Sequence, residues 1–216
     1  MIRIKLCGVR TPADALLCAE AGADEIGVIF AAKSRRRVTL DQARAIRDAL
    51  PARIPLIGVF LDATPAAVAA AVRAIGLSAA QLHGAWFPAV PGAAGTAYLP
   101  PPSGGPLPSL PLYAALQVAD ERALEALAKC STAARVLLDG PAGGSGKTFA
   151  WSLAARARQL HPAPLFIAGG LTPDNVVQAI REALPDGVDV ASGIEGLDGF
   201  KDAAKVRSFV KAVRSI

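Results

Sequence analysis

The sequence predicts an α/β protein built as a single-domain (β/α)8 TIM barrel whose fourth helix is degenerate or missing. Three observations predict it. Apolar, β-branched-rich runs alternate with Ala-rich helical patterns, eight of the first and seven of the second. Alternation of strand and helix implies a parallel sheet with right-handed crossovers, and eight such units close naturally into a barrel. A chain of 216 residues holding eight strands leaves little room for a second domain. An open doubly wound sheet is the alternative.

The first strand, 2–7, alternates Ile2, Ile4 and Leu6 with Arg3, Lys5 and Cys7, and Gly8 ends it. Thr11 and Pro12 start a helix over 12–21 as N-cap and first helical residue, and Gly22 stops it. A strand at 25–30 leads to a helix at 40–50, opened by a Thr39-x-x-Gln42 capping box. Strand 56–61 precedes helix 65–75, which repeats the Thr-Pro start at Thr64-Pro65 and ends at Gly76. Strands at 79–83, 112–118 and 135–139 follow, with a helix at 120–129 between the last two. Helix 149–160, strand 165–168, helix 173–184 behind a third Thr-Pro start at Thr172-Pro173, strand 188–191 and helix 203–214 complete the series.

One stretch breaks the rhythm. Eight of the chain's 17 prolines lie in 84–111, so the expected fourth helix cannot run through most of it. An irregular, extended Pro/Gly-rich segment is expected there, with a short turn at 85–87.

Composition narrows the function. No apolar run reaches the ~18 residues of a membrane span, and Arg3, Lys5 and Arg10 interrupt any signal-peptide core. Cys7, Cys18 and Cys130 are odd in number and far apart, which suggests neither a disulfide framework nor a thiolate metal site. A reducing, cytoplasmic location is therefore expected. The formal charge of +5 is modest, and aromatics are only 5% of residues, so a nucleic-acid surface is not expected. An anionic small-molecule substrate fits better.

The chemistry-bearing residues cluster at predicted strand ends, where parallel α/β proteins place their sites. Cys7 ends the first strand and Asp139 the sixth. Gly143-Gly144-Ser145-Gly146-Lys147-Thr148 imitates a phosphate loop but fails on spacing, since a Gly is required at position 141 and Pro141 stands there. It is expected instead to be a flexible loop able to close over a substrate. Gly169-Gly170 and Ser192-Gly193 follow strands seven and eight, where barrels often bind phosphate through backbone N–H groups. Arg35, Arg36 and Arg37 follow strand two, where a guanidinium can pair with a carboxylate; at least one of the three should be merely solvated.

The order of short motifs is more specific than any one of them. Lys5-Leu6-Cys7-Gly8 comes first, then Gly22-Ala23-Asp24, Gly27 and Lys33-Ser34-Arg35-Arg36. Gln81-Leu82-His83-Gly84, Leu138-Asp139, Gly143–Phe149 with Trp151, Gly169–Asn175, Val188-Asp189-Val190, Ser192-Gly193-Ile194-Glu195 and Lys201-Asp202 follow. This ordered set resembles the phosphoribosylanthranilate isomerase family of tryptophan biosynthesis. The resemblance implies an Amadori rearrangement of N-(5-phosphoribosyl)anthranilate with no cofactor and no metal. It assigns Asp139 as general acid, Cys7 as general base, Arg36 to the anthranilate carboxylate, and Gly169, Gly170, Ser192 and Gly193 to the phosphate. The implied partner is a phosphorylated small molecule, with no nucleic acid or membrane, and the chain is expected to be a monomer or homodimer. Lys5, on the same strand face as Cys7, is expected to help depress the thiol pKa. The sequence departs from the family pattern at Ala114, Ala150 and Ala191. Those departures leave two alternatives, a related barrel with a shifted phosphosugar substrate and a catalytically weakened binding barrel.

Overall fold

A computed structural model of the chain describes residues 1–84, 109–130, 133–140 and 150–216. Eight parallel strands form a closed barrel in sequence order. They are β1 (Arg3–Cys7), β2 (Glu25–Ile29), β3 (Leu56–Leu61), β4 (Ala79–His83), β5 (Leu112–Gln117), β6 (Arg135–Asp139), β7 (Leu165–Ile167) and β8 (Gly187–Val190). The barrel closes where β8 pairs β1, with Lys5 opposite Asp189. The described helices are α1 (Pro12–Ala21), α2 (Leu40–Ala49), α3 (Pro65–Ile75), α4 (Ser152–Leu160), α5 (Val176–Ala183) and α6 (Ala203–Arg214).

The N-terminal chemistry of three helices is as the sequence predicts. Thr11, Thr39 and Thr64 each accept the backbone N–H three residues on, and Gln42 returns the bond to Thr39. Gly22 and Gly76 end α1 and α3 in the left-handed region, at φ 104° and 73°. Thr172-Pro173 does not start a helix. The Asn175 carboxamide accepts the Thr172 N–H and donates to the Gly170 carbonyl, which curls 172–175 into a turn and delays α5 to Val176. Residues Glu121–Lys129, predicted helical, form a 3-10 helix capped by Asp120. At ~2.0 Å per residue against 1.5, that geometry carries a short β5–β6 connection further along the barrel wall. The irregular segment and degenerate fourth helix expected over 84–111 fall mostly on 85–108, outside the described residues. The glycine loop at 143–148 and the expected first residue of helix 149–160 also lie outside them.

The main core lies between barrel and helices. Ile4, Leu6, Ile26, Val28 and Val188 face out to Ala15, Ile46, Val206 and Phe209, all fully buried. The barrel interior is different. Two small apolar clusters, Ile57–Ala79–Tyr113 and Ala115–Leu137–Phe166–Ala168, share it with charges. At its N-terminal end Arg135 lies between the Tyr113 and Phe166 rings, 4.2 and 3.9 Å from their centroids. Glu25 grips it at 2.6 and 2.8 Å and also pairs with Arg3. Gly187 makes room for this plug, because a Cβ there would lie 2.3 Å from the Phe166 ring. The plug closes one end of the barrel and leaves the other end open.

Candidate active site

A cavity of about 800 Å³ opens at the C-terminal strand ends. Its lining includes Cys7, Ile29, Leu61, His83, Gln117, Asp139 and Val190, the final residues of every strand but β7. Alternation along each strand turns these side chains inward, except that of Val190, which faces the outer core with Val188. The structure therefore brings Cys7 and Asp139 to one cavity from strands three places apart around an eight-strand circle.

Cys7 sits on a charged base. Two residues back, the Lys5 amine lies 3.0 Å from both oxygens of Asp189, and the pair is buried. Burial works against the Lys5 charge, yet Asp189 and neighbouring Cys7 hold its pKa above the usual range. Gly27 provides the space. A Cβ there would come within 2.7 Å of the Cys7 sulfur and 3.1 Å of the Lys5 nitrogen. The expected depression of the thiol pKa is not what the surroundings produce. Burial pushes it up, Asp189 adds to that, and Lys5 and Lys201 pull it down without prevailing.

Asp139 is 8% exposed. Burial and the nearby Asp189 charge push its carboxyl up to about 6, against a hydrogen bond from the Gly140 N–H at 2.8 Å and the Lys5 charge. Gly169, at φ 85°, lets the β7 loop pass close, since a Cβ there would lie 2.7 Å from an Asp139 oxygen.

Gly169, Gly170, Ala191 and Ser192 all line the cavity, so the two glycine-bearing loops meet there as expected. Gly193 is not in that lining. A Cβ at Gly193 would lie 1.9 Å from the Leu171 carbonyl oxygen, so this glycine lets the two loops pack together. Of the three arginines, Arg37 is exposed, Arg35 reaches in from solvent and Arg36 is buried. Arg36 lines the cavity and forms a two-pronged pair with Glu195. His83 contacts the Gln81 amide at 2.8 Å, and burial together with the Lys5 charge lowers its pKa to about 4, leaving it neutral.

Residue-level reading missed the parts played by Asp189, Glu195 and Gly27. Asp189 had a signal, a lone acid inside the apolar run Val188-Asp189-Val190. Glu195 had none that pointed to Arg36, which lies 159 residues away. Among the described residues no group of three or more His, Cys, Asp or Glu side chains is placed to hold a metal ion. No helix among them is long and apolar enough to cross a membrane.

A closed barrel with ionisable side chains gathered at its C-terminal strand ends defines a (β/α)8-barrel enzyme. The family model described as N-(5'-phosphoribosyl)anthranilate isomerase matches residues 4–97 and 105–212, and the chain belongs to that family. The N-(5'-phosphoribosyl)anthranilate isomerase of Stutzerimonas stutzeri is 39% identical over 221 residues, covering 100% of this chain and 99% of the relative. The phosphoribosyl anthranilate isomerase structure from Thermotoga maritima superposes with a TM-score of 0.83 at 32% identity, with full coverage of both chains. A structure of the same enzyme type in complex with reduced 1-(o-carboxyphenylamino)-1-deoxyribulose 5-phosphate gives 0.81 at 30% identity, also over the full length of both.

Proposed function

We propose that this chain converts N-(5-phosphoribosyl)anthranilate to 1-(2-carboxyphenylamino)-1-deoxyribulose 5-phosphate, with Asp139 as acid and Cys7 as base. The observation that carries the roles is the placement of a buried carboxyl and a buried thiol on well-separated strands around one cavity. Asp139 donates its proton to the furanose ring oxygen as the C1–O bond breaks, leaving a protonated Schiff base. The Cys7 thiolate takes the proton from C2, and that electron pair forms the C1=C2 bond and neutralises the nitrogen. The enolamine then takes a proton at C1 and loses one from the C2 hydroxyl, giving the ketone. No atom or electron is gained or lost overall.

Arg36 faces the cavity where an anthranilate carboxylate would lie. Gly169, Gly170 and Ser192 offer backbone N–H groups to the phosphate, and Gly193 supports their packing. All of these residues come from one chain, which suits a monomer or a homodimer with one such site in each half. The whole of 1–216 acts as one domain, and the cytoplasm suits its three free thiols.

The pKa order has a kinetic consequence. Asp139 lies near 6 and Cys7 above its ordinary 9.0, so the working pair of neutral acid and thiolate is the minor form of the singly protonated site. It makes up a small share of the free enzyme. kcat/KM should therefore rise through pH 6, hold level, and fall only above the thiol pKa. The deciding assay uses N-(5-phosphoribosyl)anthranilate with wild type, Cys7→Ser and Asp139→Asn. Each variant should lose ~100-fold or more; variants that match wild type would show the roles to be wrong.

A further inference from the structure

We infer that Glu195 is a positioning residue that grips Arg36 by one edge and so aims its other edge at the carboxylate of the substrate. This inference rests on the function proposed above and deepens it. A guanidinium carries five N–H donors in a plane. Glu195 takes one from Nε and one from Nη2, the latter at 2.9 Å. Both N–H groups of Nη1 and one of Nη2 are left, a second fork of the width that fits a carboxylate. Among the described residues the Arg36 side chain has no hydrogen-bond partner except Glu195. It is 5% exposed and lines the cavity.

The grip is itself held. Lys201 reaches one Glu195 oxygen at 3.3 Å, Arg35 reaches the other at 3.0 Å, and Lys205 binds the Glu195 backbone carbonyl at 2.8 Å. With Lys201 and Arg35 on the same carboxylate, Glu195 stays in place and the cluster keeps a net positive charge at the rim. The stem of Arg36 is fixed as well. It lies across Gly8, where a Cβ would sit 2.5 Å from the Arg36 Cδ. Gly8 adjoins Cys7, so clamp and shelf together set the offset between the carboxylate-binding fork and the thiol. Arg36 therefore selects an aromatic amine bearing an ortho carboxylate, and Glu195 determines how well it does so.

Two variants, Glu195→Gln and Glu195→Asp, and two inhibitors test this. The inhibitors are reduced 1-(phenylamino)-1-deoxyribulose 5-phosphate and its reduced ortho-carboxyphenyl counterpart, neither of which carries the ketone that the reaction forms, with binding measured by calorimetry. Wild type should favour the carboxylated compound. Glu195→Gln should lose roughly tenfold or more of that preference, bind the plain phenyl compound as wild type does, and raise KM with little change in kcat. Glu195→Asp, which keeps the charge, should recover part of the preference. Equal weakening of both inhibitors, or an unchanged ratio, overturns the clamp. Wild type that binds and discriminates the inhibitors but does not turn over the substrate would overturn the functional reading and leave the clamp standing. Failure to discriminate would overturn the clamp even in an active enzyme.

Discussion

Replacing Asp139 by Asn should stabilise the protein at pH 8 and do little at pH 4, while removing activity. Asp139 is 8% exposed, and its carboxyl is pushed from 3.8 to about 6, chiefly by burial. A carboxyl whose folded-state pKa is raised destabilises the fold once it ionises. The cost is absent below the unfolded value, grows between 3.8 and about 6, and is constant above that. At 1.36 kcal/mol per unit the full cost is ~3 kcal/mol, and at pH 4 it is about 0.5 kcal/mol. For a chain of this size these correspond to about 6–12 °C and 1–2 °C in Tm. Asn keeps the oxygen that accepts the Gly140 N–H, and any fixed cost of the carboxamide cancels in the difference between the two pH values. The assay is thermal unfolding of both proteins at pH 4 and pH 8. A Tm difference that is the same at both, or that favours wild type more at pH 8, would refute the raised pKa.

Two further substitutions test the supporting structure. Gly27→Ala would place a Cβ against the Cys7 sulfur, the Lys5 amine and, at 3.2 Å, the Cys7 Cα. It should cost ~1–3 kcal/mol in denaturant unfolding and lower turnover sharply, because backbone on one side cannot yield; an ordinary melt with full activity would contradict this packing. Glu25→Gln would leave the Arg135 charge buried between two rings with no counter-charge, and should cost ~3–5 kcal/mol in the same measurement. A loss below about 1 kcal/mol, the range of an exposed pair, would show that Arg135 reaches solvent.

Much of the barrel was legible because its signals are local. The Thr-Pro and Thr-x-x-Gln starts and the glycine stops act within one helical turn, and α1, α2 and α3 form where those signals place them. The signal failed where a competing local bond was available. Asn175 closes on Thr172 and Gly170, and the third Thr-Pro becomes part of a turn. The strand alternation was also visible, but its meaning was not. Ile2, Ile4 and Leu6 alternate with Arg3, Lys5 and Cys7 along the chain, but only barrel closure shows that Lys5 is fully buried inside.

The sequence by itself determined the order of strands and helices, the barrel they close into, and the residue types at the strand ends, Cys7 on β1 and Asp139 on β6. Only the tertiary structure decided what those groups are. Closure puts β8 beside β1, seats the Lys5 amine on Asp189, and packs Gly27 under the thiol. It also carries Glu195 across the chain to Arg36. The pKa of a buried group depends on desolvation and on charges a few ångströms away in space. Those neighbours come from strands and loops distant in the chain, so no local pattern could show that burial raises Cys7 despite the lysine beneath it.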